Sequence, residues 1–231
     1  MFDGKLKAVT FSYDDGVTQD IRFIEMLNRY GLKGTFNLNS GRLGQTRCIE
    51  REGKTVLHNK VLASEVERIY KGHEVAAHTL THPMLPTLSD DEVTRQVECD
   101  RLALSELVGY EVVGMAYPCG GVNFDQRVAD VIRRTTGIKY ARTTVSSGNF
   151  DIQSDLYVFK PTCYHHVEFD KMFELAEQFI NLKTDTPKVF YIWGHAYEFD
   201  IHDTWDKMER FCELISGHGD IFYGTNREVL L

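Results

Sequence analysis

Apolar, β-branched runs alternate along this chain with stretches that carry apolar residues at helical spacing. Residues 8–13 form the first such run and predict a buried strand that stops at Asp14-Asp15-Gly16. Residues 20–30 follow as an amphipathic helix, with Ile21, Ile24 and Leu27 on one face and Gly31 as its stop. Residues 34–39 read as a second strand. The polar, irregular stretch 42–59 reads as an excursion, a hairpin or a lid. Residues 61–70 read as helix and 74–78 as a short strand. Ser89 with Glu92 three residues on is a capping box that opens the longest helix, to about Val108. Further strands are expected over 112–117, 140–144, 156–162, 188–193 and 221–223. Helices are expected over 124–135, 168–182 and 204–216, with a last helical turn within 226–231. Strand–helix alternation forces a parallel sheet. Roughly seven or eight such repeats favour an α/β fold of the closed or nearly closed (β/α) barrel type, in a single domain over residues 1–231. An open doubly wound sheet is the alternative. Neither a P-loop nor a GxGxxG follows a strand, so no nucleotide fingerprint supports that alternative.

Composition narrows the partners. The 231 residues hold 26 Lys and Arg against 34 Asp and Glu, a net charge of −8. That argues against nucleic acid or an anionic membrane, and a neutral or cationic substrate fits better. No run of about 18 apolar residues occurs, so no transmembrane span is expected. Residues 1–5 lead into the first strand without an apolar h-region, which implies no signal peptide and a cytoplasmic location. Five scattered cysteines, an odd number, suit reduced thiols better than a disulfide framework.

In a parallel barrel, chemistry gathers where strands end. The expected strand ends carry Asp14 and Asp15; His78, with His82 just beyond; Tyr117-Pro118-Cys119-Gly120; Arg142; Tyr164-His165-His166; and Trp193-Gly194-His195. The opposite ends carry no such cluster in sequence. Asp14-Asp15-Gly16 is either ordinary turn chemistry or a corner that needs a cation. His78 and His82, four apart, face the same way if one helical turn follows the strand, which is zinc-ligand spacing. Two histidines and one carboxylate leave positions open for water and substrate, the catalytic rather than the structural zinc pattern.

Asp14-Asp15-Gly16, His78-Thr79-x-x-His82-Pro83 and Gly194-His195, in this order, resemble the polysaccharide deacetylases. These form carbohydrate esterase family four, with the chitooligosaccharide-deacetylase homology domain. The resemblance covers nearly the whole chain and implies a distorted (β/α) barrel. It implies Asp14 as base, Asp15, His78 and His82 as metal ligands, His195 as general acid and the Cys119 N–H as oxyanion donor. The cofactor implied is a divalent metal, Zn2+ first, with Co2+, Ni2+ or Mn2+ also suited to such a donor set. The activity implied is hydrolytic removal of N-acetyl groups from an amino sugar or its oligo- or polysaccharide, so the partner is a carbohydrate.

The third family motif departs. Ala116 stands where the family has an arginine that orients the base. Arg142, at the end of the next strand, is placed to reach the same rim, and Arg142→Ala is expected to cost activity far more than folding. The family's fourth motif, whose carboxylate tunes the acid histidine, has no clear counterpart; Asp151 and Asp155 are the nearest candidates, with His165 and His166 as partial replacements. Glu198 and Asp200, just after His195, read as a solvated loop that could orient it. Tyr117, Pro118, Cys119, Arg142 and Trp193 complete the candidate substrate and oxyanion residues. Two other functions stay open: hydrolysis of a small non-sugar amide or cyclic imide, and a catalytically silent carbohydrate-binding module. Retention of Asp14 and His195 argues against the silent module, since binding needs neither.

Overall fold

A computed structural model describes residues 2–166 and 169–231. Its strands are β1 (Lys7–Asp14), β2 (Gly34–Leu38), β3 (Cys48–Arg51), β4 (Lys54–Leu57), β5 (Glu74–Ala77), β6 (Gly114–Ala116), β7 (Tyr140–Arg142), β8 (Cys163–Tyr164), β9 (Lys188–Gly194) and β10 (Ile221–Tyr223). The helices are α1 (Asp20–Arg29), α2 (Val66–Ile69), α3 (Asp90–Val108), α4 (Gln126–Thr135), α5 (Phe169–Asn181), α6 (Tyr197–His202), α7 (Trp205–Ile215) and α8 (Asn226–Leu230). One sheet runs β7-β6-β5-β2-β1-β9-β8, and β10 joins it beside the start of β1. All its pairings are parallel.

Residues 159–165 bring the two edges of that sheet together. Phe159 exchanges backbone bonds with Ala141 and Thr143 beside β7. Thr162 and His165 then donate to Tyr191 and Trp193 of β9. The result is the distorted (β/α) barrel of the sequence expectation. Every residue of β1 is buried, as befits a strand covered on both faces. Aromatic side chains fill the space between sheet and helices, with Phe11, Phe23, Phe36, Phe190, Phe199 and Phe211 all fully or nearly buried.

Local signals set several element ends. Ser89 accepts from Glu92 N at the start of α3, and Gly109 closes that helix at φ 73°. The reciprocal arm of the box is absent, because Glu92 pairs with Arg95. A complete capping box does form at α8, between Thr225 and Glu228. Three expectations fail. Residues 61–70 hold only the short α2 preceded by a 3-10 turn. Residues 156–162 form a 3-10 turn and extended chain rather than a strand, consistent with Pro161 lacking a ladder donor. The helix α6, unexpected from sequence, starts directly after β9. Glu168, the expected start of α5, lies outside the described residues. The polar excursion is a β3–β4 hairpin followed by an extended return.

The opposite end of the barrel is polar too. Glu74, at the start of β5, accepts from Thr35 Oγ1 at 2.8 Å, Tyr140 Oη at 2.9 Å and Arg227 N at 2.9 Å. Asn226 accepts from Thr10 Oγ1, while its backbone N–H donates to Thr35 Oγ1, each at 2.8 Å. These groups satisfy one another beneath α8, a structural plug rather than a second site.

Gly194 ends β9 in contact with a side chain of the next layer. A Cβ there would fall inside the His165 ring. Gly194→Ala is therefore expected to lose about 1–3 kcal/mol through overpacking. A urea midpoint equal to that of the parent chain would contradict this.

Candidate active site

The carboxyl ends of the strands surround a cavity of about 530 Å³. Asp14, Asp15, His78, His82, Tyr117, Cys119, Trp193 and His195 all line it. Of the remaining sequence candidates, Pro118 is not among the described lining residues, and Arg142 is fully buried behind Asp14.

Asp14 is held from below. Both its oxygens accept from Arg142 Nη2, Oδ1 at 2.5 Å. Asn37 Nδ2 donates to the same Oδ1 at 2.8 Å. Arg142 also donates to Thr143 O at 3.2 Å and lies 4.4 Å over the Trp193 ring. The guanidinium missing at Ala116 thus arrives from the neighbouring strand.

Asp15 sits in the left-handed region at φ 85°, which turns its carboxylate away from that of Asp14. Lys60 Nζ and His58 Nε2 each approach it to 3.1 Å. Burial alone would raise its pKa; the Lys60 charge and the His58 hydrogen bond overcome that and hold it well below the usual carboxylate range. Neither Lys60 nor His58 was singled out in the sequence, because both lie on the return from the hairpin and only the fold brings them to β1.

His78 and His82 converge, but not through a helical turn. Thr79 at φ 67° and His82 at φ 61° shape the loop, with His82 N bonded to Thr79 Oγ1 at 3.1 Å. Gln96 of α3 anchors the same loop through Leu80 N and Thr81 N. The two rings lie 4.9 Å apart. His78 Nδ1 donates to Ala116 O at 2.9 Å, which leaves Nε2 with its lone pair toward the cavity. Burial lowers the pKa of both rings, His82 to about 3 with help from His78, so each is a neutral donor near neutral pH. Asp15, His78 and His82 each offer a ligand atom within 4.8 Å of the others. A carboxylate and two neutral imidazoles, one with its tautomer fixed by a carbonyl, fit a divalent metal.

His195 lines the same cavity and carries its own carboxylate. Its Nδ1 lies 3.2 Å from Glu198 Oε2, and its backbone N–H donates to the same oxygen at 3.1 Å. Burial lowers the His195 pKa, but Glu198 outweighs it, with Asp15 and Asp14 behind, and the ring reaches about 9. Glu198 is buried, bonded also to Tyr164 Oη, and lies 3.6 Å from His165 Nε2. The turn into α6 folds it back under the ring, which corrects its reading as a solvated loop residue. Asp151 and Asp155 instead make surface pairs with Lys188 and Arg133. His165 is buried against Tyr13 Oη at 3.1 Å, and His166 pairs with Glu52 outside the cavity.

The family model described as polysaccharide deacetylase matches residues 3–141. The chain belongs to the polysaccharide deacetylase family. A curated relative, the peptidoglycan-N-acetylglucosamine deacetylase PgdA of Listeria monocytogenes, is 27% identical over 128 residues, 54% of this chain. The chain spans only 24% of that relative's length. Two solved structures share the fold. A family 4 acetyl xylan esterase from Clostridium thermocellum, in complex with a cobalt ion, superposes with TM-score 0.56 at 15% identity, over 96% of this chain and 89% of that one. A family 4 carbohydrate esterase from Streptomyces lividans gives 0.56 at 14% identity, over 96% and 92%. Among the described residues, no helix is long and apolar enough to cross a membrane.

Burial changes one expectation. With Arg142 fully enclosed beside Asp14, Arg142→Ala leaves a carboxylate unpaired in the interior and is expected to cost about 3–5 kcal/mol of stability as well as activity. Arg142→Lys keeps the charge but loses the fork. Urea unfolding distinguishes them, and a loss under about 1 kcal/mol for the alanine variant would contradict a structural role for the pair.

Proposed function

We propose that this chain is a metal-dependent hydrolase that removes N-acetyl groups from an amino sugar or its oligo- or polysaccharide. The observation that carries the reading is the grouping of Asp15, His78 and His82 within 4.8 Å, beside an Arg142-held Asp14 and with His195–Glu198 lining the same cavity. Asp15, His78 and His82 would hold the metal, Zn2+ first and Co2+, Ni2+ or Mn2+ next. When bound, such a metal supplies a Lewis acid for the acetyl carbonyl and for the attacking water.

The chain's own groups do the rest. Asp14, oriented by Arg142 and Asn37, takes the proton of the attacking water on a carboxylate oxygen. His195 keeps Nδ1 on Glu198, so Nε2 is the atom that hands a proton to the departing amine nitrogen. Cys119, at φ 69°, closes the turn whose backbone N–H is offered to the developing oxyanion. Its thiol packs 3.6 Å from His82 Nδ1, and burial raises its pKa, which suits a positioning contact and not a nucleophile. Water is consumed; acetate and a free amine leave. Tyr164 and Trp193, stacked 4.1 Å apart, add an aromatic edge to the cavity lining.

Chelation should abolish acetate release from N-acetylated chitooligosaccharides, and metal return should restore it. His78→Ala and His82→Ala should each lose bound metal, measured by elemental analysis. Full metal content in both would remove the ligand assignment, and turnover of a cyclic imide without acetate release would replace the substrate class. Asp14→Asn and His195→Gln should each lower the rate by about 10²–10⁴-fold.

The active form of His195 is protonated and Glu198 holds its pKa above the ordinary imidazole range, so kcat is expected to show an alkaline limb set by this ring. Glu198→Gln removes the charge that raises that pKa, so the alkaline limb should move to lower pH. An unmoved limb would show that another group sets it.

A further inference from the structure

The chemistry above leaves one wall of the cavity without a use. Arg42, Arg47 and Arg51 all line it. They come from the excursion between β2 and β4, just before and within the hairpin. Two of the guanidiniums are positioned by neutral partners. Arg47 Nε lies 3.3 Å from His58 Nδ1, and Arg51 Nη1 donates to Tyr197 Oη at 3.0 Å. His58 turns Nε2 to Asp15 Oδ2, so Nδ1 is the ring nitrogen that accepts from Arg47. Among the described residues, no carboxylate forms an ion pair with any of the three, and Arg42 makes no side-chain hydrogen bond. Some arginines of this chain do find a carboxylate, as Arg29 does with Glu209, Arg68 with Glu65, Arg95 with Glu92 and Arg127 with Asp90, and others, such as Arg22 over the Trp205 ring and Arg134 on Asp130 O, do not; what sets Arg42, Arg47 and Arg51 apart is that they line one cavity together.

A chain of net charge −8 offers acidic partners in excess, yet three cations at one cavity go without. Two of the acidic groups nearby carry their own cations, Asp14 in Arg142 and Asp15 in Lys60; Glu50, which also lines the cavity, accepts from Thr55 Oγ1 and forms no ion pair with the three arginines. Guanidinium forks match carboxylate and phosphate oxygens, and a partly enclosed site strengthens such contacts over open water.

We propose that the substrate carries an anionic group, a carboxylate or a phosphate ester, close to its acetamide, and that Arg42, Arg47 and Arg51 receive it. This rests on the deacetylase reading for the acetamide, but the anion site stands on its own charges. It reverses the preference for a neutral or cationic substrate that net charge alone suggests.

Equilibrium binding to the whole chain tests it, by calorimetry at low ionic strength. N-acetylglucosamine is compared with N-acetylmuramic acid, which adds a carboxylate, and with N-acetylglucosamine 6-phosphate, which adds a phosphate. At least one anionic probe should bind about tenfold tighter than the neutral sugar, the sum of three half-exposed pairs. The stronger of the two names the anion. The advantage should shrink in high salt and vanish in Arg42→Gln/Arg47→Gln/Arg51→Gln, whose folding is checked by its urea midpoint. If that variant does not fold, the three single substitutions should each reduce the advantage. Equal binding of neutral and anionic probes, or an advantage that survives the substitutions, overturns the proposal. Acetate release from the same probes is scored separately. Anion preference without release supports the anion site and removes the deacetylase reading; release without preference does the reverse.

Discussion

The buried pair between Arg142 and Asp14 is the constraint on which the site's geometry rests. Taking a guanidinium and a carboxylate out of water costs several kcal/mol per ion, and their attraction offsets this only when the remaining polar valences are met. Here Asn37 serves the carboxylate, Thr143 serves one guanidinium nitrogen and Trp193 covers the guanidinium face, while Arg142 Nε is left without a hydrogen-bond partner. Those five residues come from the ends of β1, β2, β7 and β9, or one step beyond. The pair joins positions 128 apart in sequence. It therefore fixes strand ends relative to one another, where backbone ladders alone fix only neighbours. The same contact orients the proposed base, so stability and chemistry are drawn from one interaction.

Backbone strain collects at the same rim. Asp15, Thr79, His82 and Cys119 all sit at positive φ, and all lie at or beside the cavity. Such conformations cost about 1–3 kcal/mol each and persist only where the surroundings over-determine them. Thr79 is the clearest case, since a β-branched residue at φ 67° is disfavoured by its own side chain. It is held by hydrogen bonding, with its carbonyl accepting from Asn39 Nδ2 at 2.8 Å and its hydroxyl from His82 N. The strain has a geometric effect: it turns two histidines toward one point from a loop too irregular to be a helix.

Much of this was legible because the strand periods are strong and the chemistry lies at their ends. The Asp doublet, the histidine pair and His195 fell where strands stop, and Arg142 was reachable by the same logic. The histidine spacing was read through a helical turn that does not form; the convergence depends on left-handed residues that no spacing rule reveals. Glu198 looked like the start of a polar loop, and only the burial of the turn into α6 makes it the partner of His195. Lys60 and His58 were invisible for a different reason. They reach Asp15 only after the hairpin has folded back, and nothing local in residues 42–59 specifies that return. The 156–162 segment shows the reverse error, an apolar run taken for a strand although Pro161 limits its pairing.

The opening question, whether Asp14-Asp15 is a turn or a metal corner, resolves into two electrostatic environments. Adjacent carboxylates repel, and the fold gives each its own cation from a different element: Arg142 from β7 for Asp14, Lys60 from the hairpin return for Asp15. The second arrangement has a consequence. Lys60 Nζ lies 3.1 Å from Asp15 Oδ1, the oxygen that stands 3.8 Å from His82 Nε2. The Lys60 charge and the His58 hydrogen bond together keep Asp15 ionised despite its burial. Because Lys60, His58, Arg47 and Arg51 all belong to the same hairpin and its return, the element that steadies the proposed metal ligand is also the one that sets the charge of the cavity wall.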